Sequence, residues 1–421
     1  MPSYASVFRT SGFLPSFVAL SASTWGDYVA RICVAFEVRE RTGSDLAMAS
    51  TFAVSLLPSV LGRSLLSPLA DRIPAKHVLV GSDVLRTVFV LLLLLTIVQG
   101  APLLLLLVLL FLMQLFGGPT VASYQILLTD LFPDRRAFLR ARGVAVLAEQ
   151  VNQAIGLAVG GVVVALLSPR AALAADAAAF ALSAALFALA VRARAVAARP
   201  TPGVGGFFRD VGDGARYLAG HRVLVALLLL SLVSVWAIAA PEAVAIPYVL
   251  DHDLPEWAGG FLMASPVAGA VLGVVLVGRW QPEVAGARML PMALLMPAPL
   301  LLTAVLPATS AWLPVLGLLW FGSGVLQAFI LPLQATFALV VAPDLRGRVI
   351  GLAGASAMTT SALAFLLAGW LSEVFGPATS VTACAALSLG AIALLAARWP
   401  RRGLAEAVDV AFNEMSAGRE P

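Results

Sequence analysis

The chain has 421 residues, of which 60% are hydrophobic and only 12% are charged. Soluble proteins carry about 25% charged residues, and the mean hydropathy of +0.95 also favours a polytopic membrane protein. The formal net charge of +4 does not indicate nucleic-acid binding, because the basic residues lie in short connectors between apolar runs and form no single patch.

The apolar runs predict twelve transmembrane spans, since a membrane helix needs about 20 mostly apolar residues. The spans lie at residues 13–36, 46–69, 78–98, 102–128, 143–167, 171–191, 223–247, 258–278, 289–307, 313–341, 349–374 and 379–397. The N-terminal stretch lacks the basic region and cleavage site of a signal peptide. We therefore expect the first span to be retained as a membrane helix.

The basic residues predict the orientation of these spans. Lys and Arg concentrate in the loops of one side, whereas only Arg39, Arg41 and Arg170 fall in loops of the other side. Short cytoplasmic loops carry the excess of Lys and Arg. We therefore expect a multi-pass protein of the inner or plasma membrane with both termini in the cytoplasm.

A long polar connector divides the spans six and six. Residues 192–222 begin as a basic, Pro/Gly-rich linker and continue with a stretch that fits a short amphipathic helix at the inner surface. The predicted domains are residues 1–191, a six-helix bundle, and residues 223–397, a second six-helix bundle. Residues 398–421 form a polar cytoplasmic tail.

The two halves repeat each other at a nearly constant offset. Arg140 and Arg142 after span 4 match Arg346 and Arg348 after span 10, and "GVVVALLSP" aligns with "GWLSEVFGP". Such duplications place a substrate site near the midplane, between two halves that rock around it. The sequence thus predicts an all-α membrane protein with twelve transmembrane helices in two six-helix, pseudo-symmetric bundles.

The loop between spans 2 and 3, "SPLADRIPAKH", resembles the loop signature of the major facilitator superfamily. Asp71, Arg72 and Lys76 stand at matching positions, although Ser67 replaces the usual Gly. The resemblance implies the twelve-helix transporter fold and a conformational latch at this loop. Asp83 and Arg86 in "GSDVLRT" of span 3 are assigned to the same latch, with Arg86 expected to meet Asp71 or Asp83.

Two further stretches resemble the drug:proton antiporter branch that includes macrolide exporters and the enterobactin exporter. The first runs from Gly26–Asp27 to Thr42–Gly43–Ser44. The second, "GLAVGG" in span 5, resembles the antiporter motif, although Leu157 replaces its proline. Small residues at this spacing allow close helix contact, which assigns a packing role to Gly156, Gly160 and Gly161.

Ionisable residues within membrane spans are functional candidates by default. Asp27 in span 1 ranks first, because Arg31 follows four residues later and therefore shares its helix face. The pair is either a proton-binding acid with a movable cation or a fixed ion pair. Glu242 in span 7, between two prolines, and Glu149 in span 5 are further proton-coupling candidates, while Asp176 in span 6 is interpreted as lying near the outer surface.

Aromatic and amide side chains in the spans are candidates for a substrate cavity. An amphiphilic wall of this kind suits bulky, partly apolar ligands. The candidates are Trp25, Gln114, Tyr124, Gln125, Trp236, Trp320, Gln327 and Gln334. We expect no cofactor and no metal, because the chain has no Walker A pattern and its three histidines lie far apart.

The leading hypothesis is a secondary active transporter, a proton-coupled exporter of a drug or secondary metabolite. An uptake facilitator or symporter for a small nutrient is the alternative. A membrane-embedded enzyme or lipid-handling protein gains no catalytic constellation from this sequence, so the protein is not expected to be an enzyme. The expected partners are a small amphiphilic substrate, protons and the lipid bilayer, and the resemblance implies a monomer.

Overall fold

The computed structural model describes residues 5–65, 73–191, 204–255, 257–342, 345–400 and 403–404. Twelve long helices are numbered α1–α12 to follow the predicted spans. They are α1 (Phe13–Thr42), α2 (Asp45–Leu65), α3 (Ala75–Val98), α4 (Leu103–Leu131), α5 (135–167), α6 (Ser168–Ala190), α7 (Arg222–Asp251), α8 (Trp257–Val277), α9 (Glu283–Leu302), α10 (Ser310–Val340), α11 (Arg346–Phe375) and α12 (Pro377–Ala397). A linker helix, Val204–Gly220, lies between α6 and α7.

Within the described ranges, nine of these helices are long and apolar enough to cross a membrane by length and composition. The first helix, α1, is not among them, since its middle carries hydroxyl and charged side chains. Large apolar side chains such as Leu104, Leu189, Val305 and Leu394 are strongly exposed. Contiguous exposed apolar surface marks contact with lipid or a partner, and here it fits a bilayer.

The two halves of the chain pack against each other along two helix contacts. One contact joins α2 to α11, and the other joins the continuous α5–α6 rod to α8. The rod bends at Ser168, whose φ of 71° lies in the left-handed region just before Pro169. Within the second half, α7 packs on α11 and α12, and α8 packs on α10.

Helices α4 and α10 are interrupted in mid-span, whereas the sequence predicts each as a continuous helix. The first breaks at Phe116, between Leu103–Leu115 and Gly117–Leu131. The second breaks between Leu313–Gln327 and Ile330–Val340. At both places the backbone stays right-handed helical, with φ of −78° at Phe116 and −61° at Ala328, so these interruptions are local irregularities of otherwise continuous spans.

The glycines of α5 allow this helix to lie directly against α1. A methyl group on Gly156 would come within 2.7 Å of Tyr28 Cδ2, and one on Gly160 would come within 2.6 Å of Ile32 Cδ1. Real Cβ contacts are longer than this, so a side chain at Gly156 would displace the Tyr28 ring and one at Gly160 would displace the end of Ile32. The side-chain surroundings of Gly161, the third glycine assigned to this packing, lie outside the described residues.

We therefore expect Gly160→Leu to separate α5 from α1. Overpacking of this kind costs about 1–3 kcal/mol and should lower the thermal unfolding temperature of the purified protein. Gly143→Leu is the matched control on the same helix, because a Cβ there meets open space. Equal unfolding temperatures for the two variants would contradict the close contact.

Candidate functional site

A cavity of about 560 Å³ lies between the two halves. Side chains of α1, α2, α4, α5, α7, α10 and α11 form its wall, and Arg86 reaches it from α3. The charged lining residues are Asp27, Arg31, Arg86, Arg142, Glu149 and Glu242. Both chain halves contribute, as expected for a midplane site between repeats.

The cavity wall includes five of the eight side chains predicted for it from the sequence. They are Gln114, Tyr124, Gln125, Gln327 and Gln334. Residues on either side of both helix breaks are among the lining residues, including Gln114 and Gly117 of α4 and Gln327 and Ile330 of α10. The breaks thus occur where these two helices pass the cavity.

The three tryptophans predicted for the cavity do not line it. Trp25 instead donates through Nε1 to Asn152 Oδ1 at 3.1 Å, which fastens α1 to α5. Trp320 is fully buried, and its Nε1 donates to Thr303 Oγ1 at 3.1 Å. Trp236 packs against the buried apolar core. Their size favours filling space between helices, and their polar tips satisfy local acceptors.

Asp27 pairs with Arg86 of α3, not with Arg31 as the sequence suggests. The distance from Asp27 Oδ2 to Arg86 Nη1 is 3.4 Å. Arg31 is on the same face of α1, but its guanidinium stacks 4.2 Å from the centroid of the Tyr28 ring and its Nε donates to the Asp27 carbonyl oxygen at 3.3 Å. The prediction of a fixed ion pair between the side chains of Asp27 and Arg31 is therefore wrong.

Arg86 is the centre of a buried polar cluster behind α1. It lies 3.8 Å from Asp83 Oδ1 and donates through Nη1 to Ser23 Oγ at 3.0 Å. Asp83 also accepts hydrogen bonds from the hydroxyls of Ser23, at 3.0 Å, and Ser183, at 2.5 Å. Both Asp83 and Arg86 are buried. A buried ion pair needs additional hydrogen bonds of this kind to offset its loss of water.

This geometry changes the role predicted for Asp83 and Arg86. The sequence assigns them to the latch of loop 2–3, but they lie inside the helix bundle next to Asp27. Asp71 and Arg72 lie outside the described residues, and Lys76 stands in the first turn of α3. The resemblance to a loop signature carries no information about how deep the following helix places its charges.

Arg31 and Glu242 face the cavity from opposite halves of the chain. Both line it, and they interact electrostatically across the gap. Glu149 lines the cavity as an exposed side chain of α5, close to Asn152 and Gln153 on the same wall. Four further lining residues are not predicted from the sequence, namely Tyr28, Arg142, Asn152 and Gln153. The polar run "AEQVNQ" in an apolar span is a signal that points to two of them.

Polar contacts join the two halves at the helix ends opposite the linker helix, here called the far side. Arg39 lies 2.6 Å from Asp45 and 3.0 Å from Asp251 of α7. Ser372 of α11 donates to Asp45 Oδ2 at 2.5 Å. The carboxylate of Glu373 accepts from the Ser44 hydroxyl at 2.5 Å and from the Leu46 amide at 3.1 Å. This far-side contact, of Arg39, Asp45, Asp251, Ser372 and Glu373, bonds one half of the chain to the other.

The family is decided by comparison with known sequences. The family model of the Major Facilitator Superfamily matches residues 10–357, which is most of the chain. The chain belongs to the Major Facilitator Superfamily. This membership agrees with the twelve-helix architecture and with a cavity between two halves, and it makes the protein a membrane transporter rather than an enzyme.

Among curated proteins, the chain is similar to the multidrug efflux pump Tap of Mycobacterium tuberculosis and of Mycobacterium bovis. The identity is 30% over 201 residues, which is 46% of this chain and 46% of each relative. The match thus spans about half the length of these relatives. It supports membership of a transporter family, and the activity of Tap comes to this chain only as a proposal.

Two groups of solved transporters share the fold. A mutant of the nucleoside transporter NupG has a TM-score of 0.69 at 14% identity, covering 92% of this chain and 98% of that chain. The peptide transporter POT in complex with sulfate has a TM-score of 0.69 at 14% identity, covering 96% and 99%. At this identity the likeness extends to the fold alone, and the predicted fold class is confirmed.

Proposed function

We propose that this transporter exports an amphiphilic small molecule in exchange for protons, by alternating access. The observation that carries the proposal is the position of Asp27. Its carboxylate lines the cavity and pairs with Arg86 at 3.4 Å. A carboxyl group that both faces the substrate and depends on a buried cation is suited to exchange a proton when that cation or the substrate moves.

The proposed substrate class follows from the wall of the cavity. Amides and hydroxyls alternate with apolar side chains such as Phe17, Leu20, Val235 and Phe365. Glu149, Asp27 and Glu242 supply three carboxyl groups against Arg31, Arg86 and Arg142. The resemblance of a half-length stretch to Tap supports a drug-like substrate. The proposal also includes a monomer in the cell membrane and the domain boundaries predicted from the sequence.

The proposed orientation places the linker helix in the cytoplasm. The basic residues of the loops favour this side as the inner one. We assign this arrangement to an inward-facing state, in which the far-side contact closes the outer end. Export then requires the far-side contact to open while the linker-side ends of the two halves come together.

The first experiment identifies a probe and the direction of transport. A panel of macrolides, tetracyclines and lipophilic cationic dyes is screened for protection of a sensitive bacterial host expressing the chain. The protective compound is then followed in inverted membrane vesicles with an imposed pH gradient. The proposal expects accumulation inside these vesicles that stops when an ionophore collapses the gradient. Accumulation in right-side-out vesicles instead would favour uptake and overturn the export proposal.

Opening of the far-side contact gives a separate prediction. Glu373→Ala removes two hydrogen bonds to an exposed carboxylate, each worth about 0.5–1 kcal/mol once solvent screening is allowed for, so the outward-facing population should rise about fivefold or more. Thiol labelling of Gln327→Cys by an impermeant reagent from the far side measures this change, with Cys33 and Cys384 replaced by Ala. Glu37→Ala is the control, because Glu37 pairs with Arg41 on its own helix. Equal far-side labelling in both variants would reject the contact as a lock.

A further inference from the structure

Asp176 of α6 is a buried carboxyl group that the proposed transport mechanism does not use. Its side chain is buried, and neither carboxylate oxygen has a hydrogen-bond partner among the described residues. It is not among the residues that line the cavity. The sequence interpretation that Asp176 lies near the outer surface is therefore wrong.

Asp176 lies directly behind Asp27. Residue 26 is a glycine, and a methyl group there would overlap Asp176 Oδ1 and come within 3.0 Å of Phe180 Cε2. The absence of a side chain at Gly26 thus allows α6 to bring a carboxyl group against the α1 backbone next to Asp27. Among the described residues, the titratable or charged groups that face Asp176 are Asp27 and Cys33 of α1 and Arg86 of α3.

The charges behind α1 do not balance if every carboxyl group is ionised. Among the described residues, Asp27, Asp83 and Asp176 share the buried guanidinium of Arg86, and Arg31 acts in addition on Asp27 from the cavity side. Asp83 has two hydroxyl donors in addition to Arg86, and Asp27 has Arg86 at 3.4 Å and the polar cavity. Asp176 has neither a donor nor a paired cation, and a buried carboxyl group in such surroundings neutralises by taking up a proton.

Arg86 is placed so that it can serve either carboxyl group. Its guanidinium lies 5.5 Å from the centroid of the Phe180 ring, and Phe180 is one helical turn beyond Asp176 on the same face of α6. A movement of the guanidinium across this ring would take it from Asp27 towards Asp176. Gly117 lies against the guanidinium of Arg86. A Cβ at this position would lie 2.8 Å from Arg86 Nη2, so the glycine leaves room for the guanidinium.

We propose that Asp176 is a second proton-binding site, which exchanges its proton with Asp27 as Arg86 moves in the opposite direction. In the starting state of this exchange the proton is on Asp176, and Arg86 pairs with Asp27 as in the structure. After the exchange, the O–H bond of Asp176 is broken, that of Asp27 is formed, and Arg86 pairs with Asp176. The net charge of the group is the same before and after, which suits a site with little solvent. This inference rests on the proposed proton coupling at Asp27.

Infrared spectra of the wild type and of each variant, purified and reconstituted in lipid at neutral pH, are subtracted from one another to test the proposal. No transport substrate is needed. A protonated carboxylic acid has a C=O stretching band that a carboxylate lacks. We expect such a band in the wild type and its loss in Asp176→Asn. We also expect its loss in Asp27→Asn, since an amide at position 27 mimics the protonated acid and releases Arg86 to Asp176. Asp213→Asn, in the exposed part of the linker helix, should leave the band unchanged.

A band of unchanged position and amplitude in Asp176→Asn would overturn the second site, and a band that persists in Asp27→Asn would overturn the exchange. If Asp176→Asn does not fold, Asp176→Glu gives the same test, because a displaced acid should shift the band and an unshifted band counts against the site. Vesicle transport remains a separate readout. Loss of proton coupling at Asp27 would be seen there, whereas failure of the Asp176 proposal would be seen only in the spectrum.

Discussion

Asp27→Asn is expected to abolish proton movement driven by substrate, while the protein still inserts and folds. An amide at this position has the shape of the protonated acid but takes up and releases no proton. Because no group remains at this position to carry the proton, we expect substrate-driven proton movement to fall to the level of vesicles that lack the protein. Proton release into the medium on addition of the protective compound to inverted vesicles measures the effect.

Two comparisons make this result specific to the proton. Asp27→Glu keeps an acid on the cavity wall and should retain part of the coupled transport. Binding of the compound to the purified Asp27→Asn protein should persist, because the remaining amides and hydroxyls of the cavity are unchanged. Wild-type coupling in Asp27→Asn would exclude Asp27 as the proton carrier and leave it as a structural partner of Arg86.

Arg86→Gln is expected to cause a large loss of stability. Removal of one partner of a buried ion pair leaves the other charge uncompensated and costs about 3–5 kcal/mol. Here two carboxyl groups, Asp27 and Asp83, lose the same guanidinium. Thermal unfolding of the detergent-purified protein, followed by tryptophan fluorescence, measures the change.

Arg288→Gln is the matched control for this prediction. Arg288 is exposed and stacks on Trp280 at 4.6 Å, and surface substitutions usually change stability by less than about 0.5 kcal/mol. The double variant Arg86→Gln/Asp83→Asn should recover part of the lost stability, because it removes the fully buried carboxylate that Arg86→Gln leaves without a cation. No difference between Arg86→Gln and Arg288→Gln would mean that the buried cluster does not support the fold.

The sequence predicts the helices well because their signals are local. Apolar runs locate the long helices, and nine of those in the described ranges are long and apolar enough to cross a membrane. The interruptions of α4 and α10 are missed because an apolar run looks the same whether its helix is continuous or broken. The end of α1 at Gly43 has a local cause, since a glycine with φ of 66° is a common helix C-cap.

The partners of the site residues could not be predicted from the sequence, because they come from distant parts of the chain. Spacing correctly places Asp27 and Arg31 on one face of α1, but it does not reveal that Arg86 is the nearer cation. The far-side contact joins Asp45 to Ser372 and Ser44 to Glu373, pairs that share no local pattern. The burial of Asp176 is missed because its local sequence is ambiguous. An acid in an alanine-rich helix also fits a position near the end of the helix.

The most direct test of the account is counterflow of protons and compound in proteoliposomes that contain only this protein. An imposed gradient, acidic inside, is applied at zero membrane potential, and both the internal pH and the accumulated compound are followed. The account predicts uphill accumulation with matching alkalinisation of the lumen, lost in Asp27→Asn. Accumulation that is unchanged without the pH gradient would contradict it.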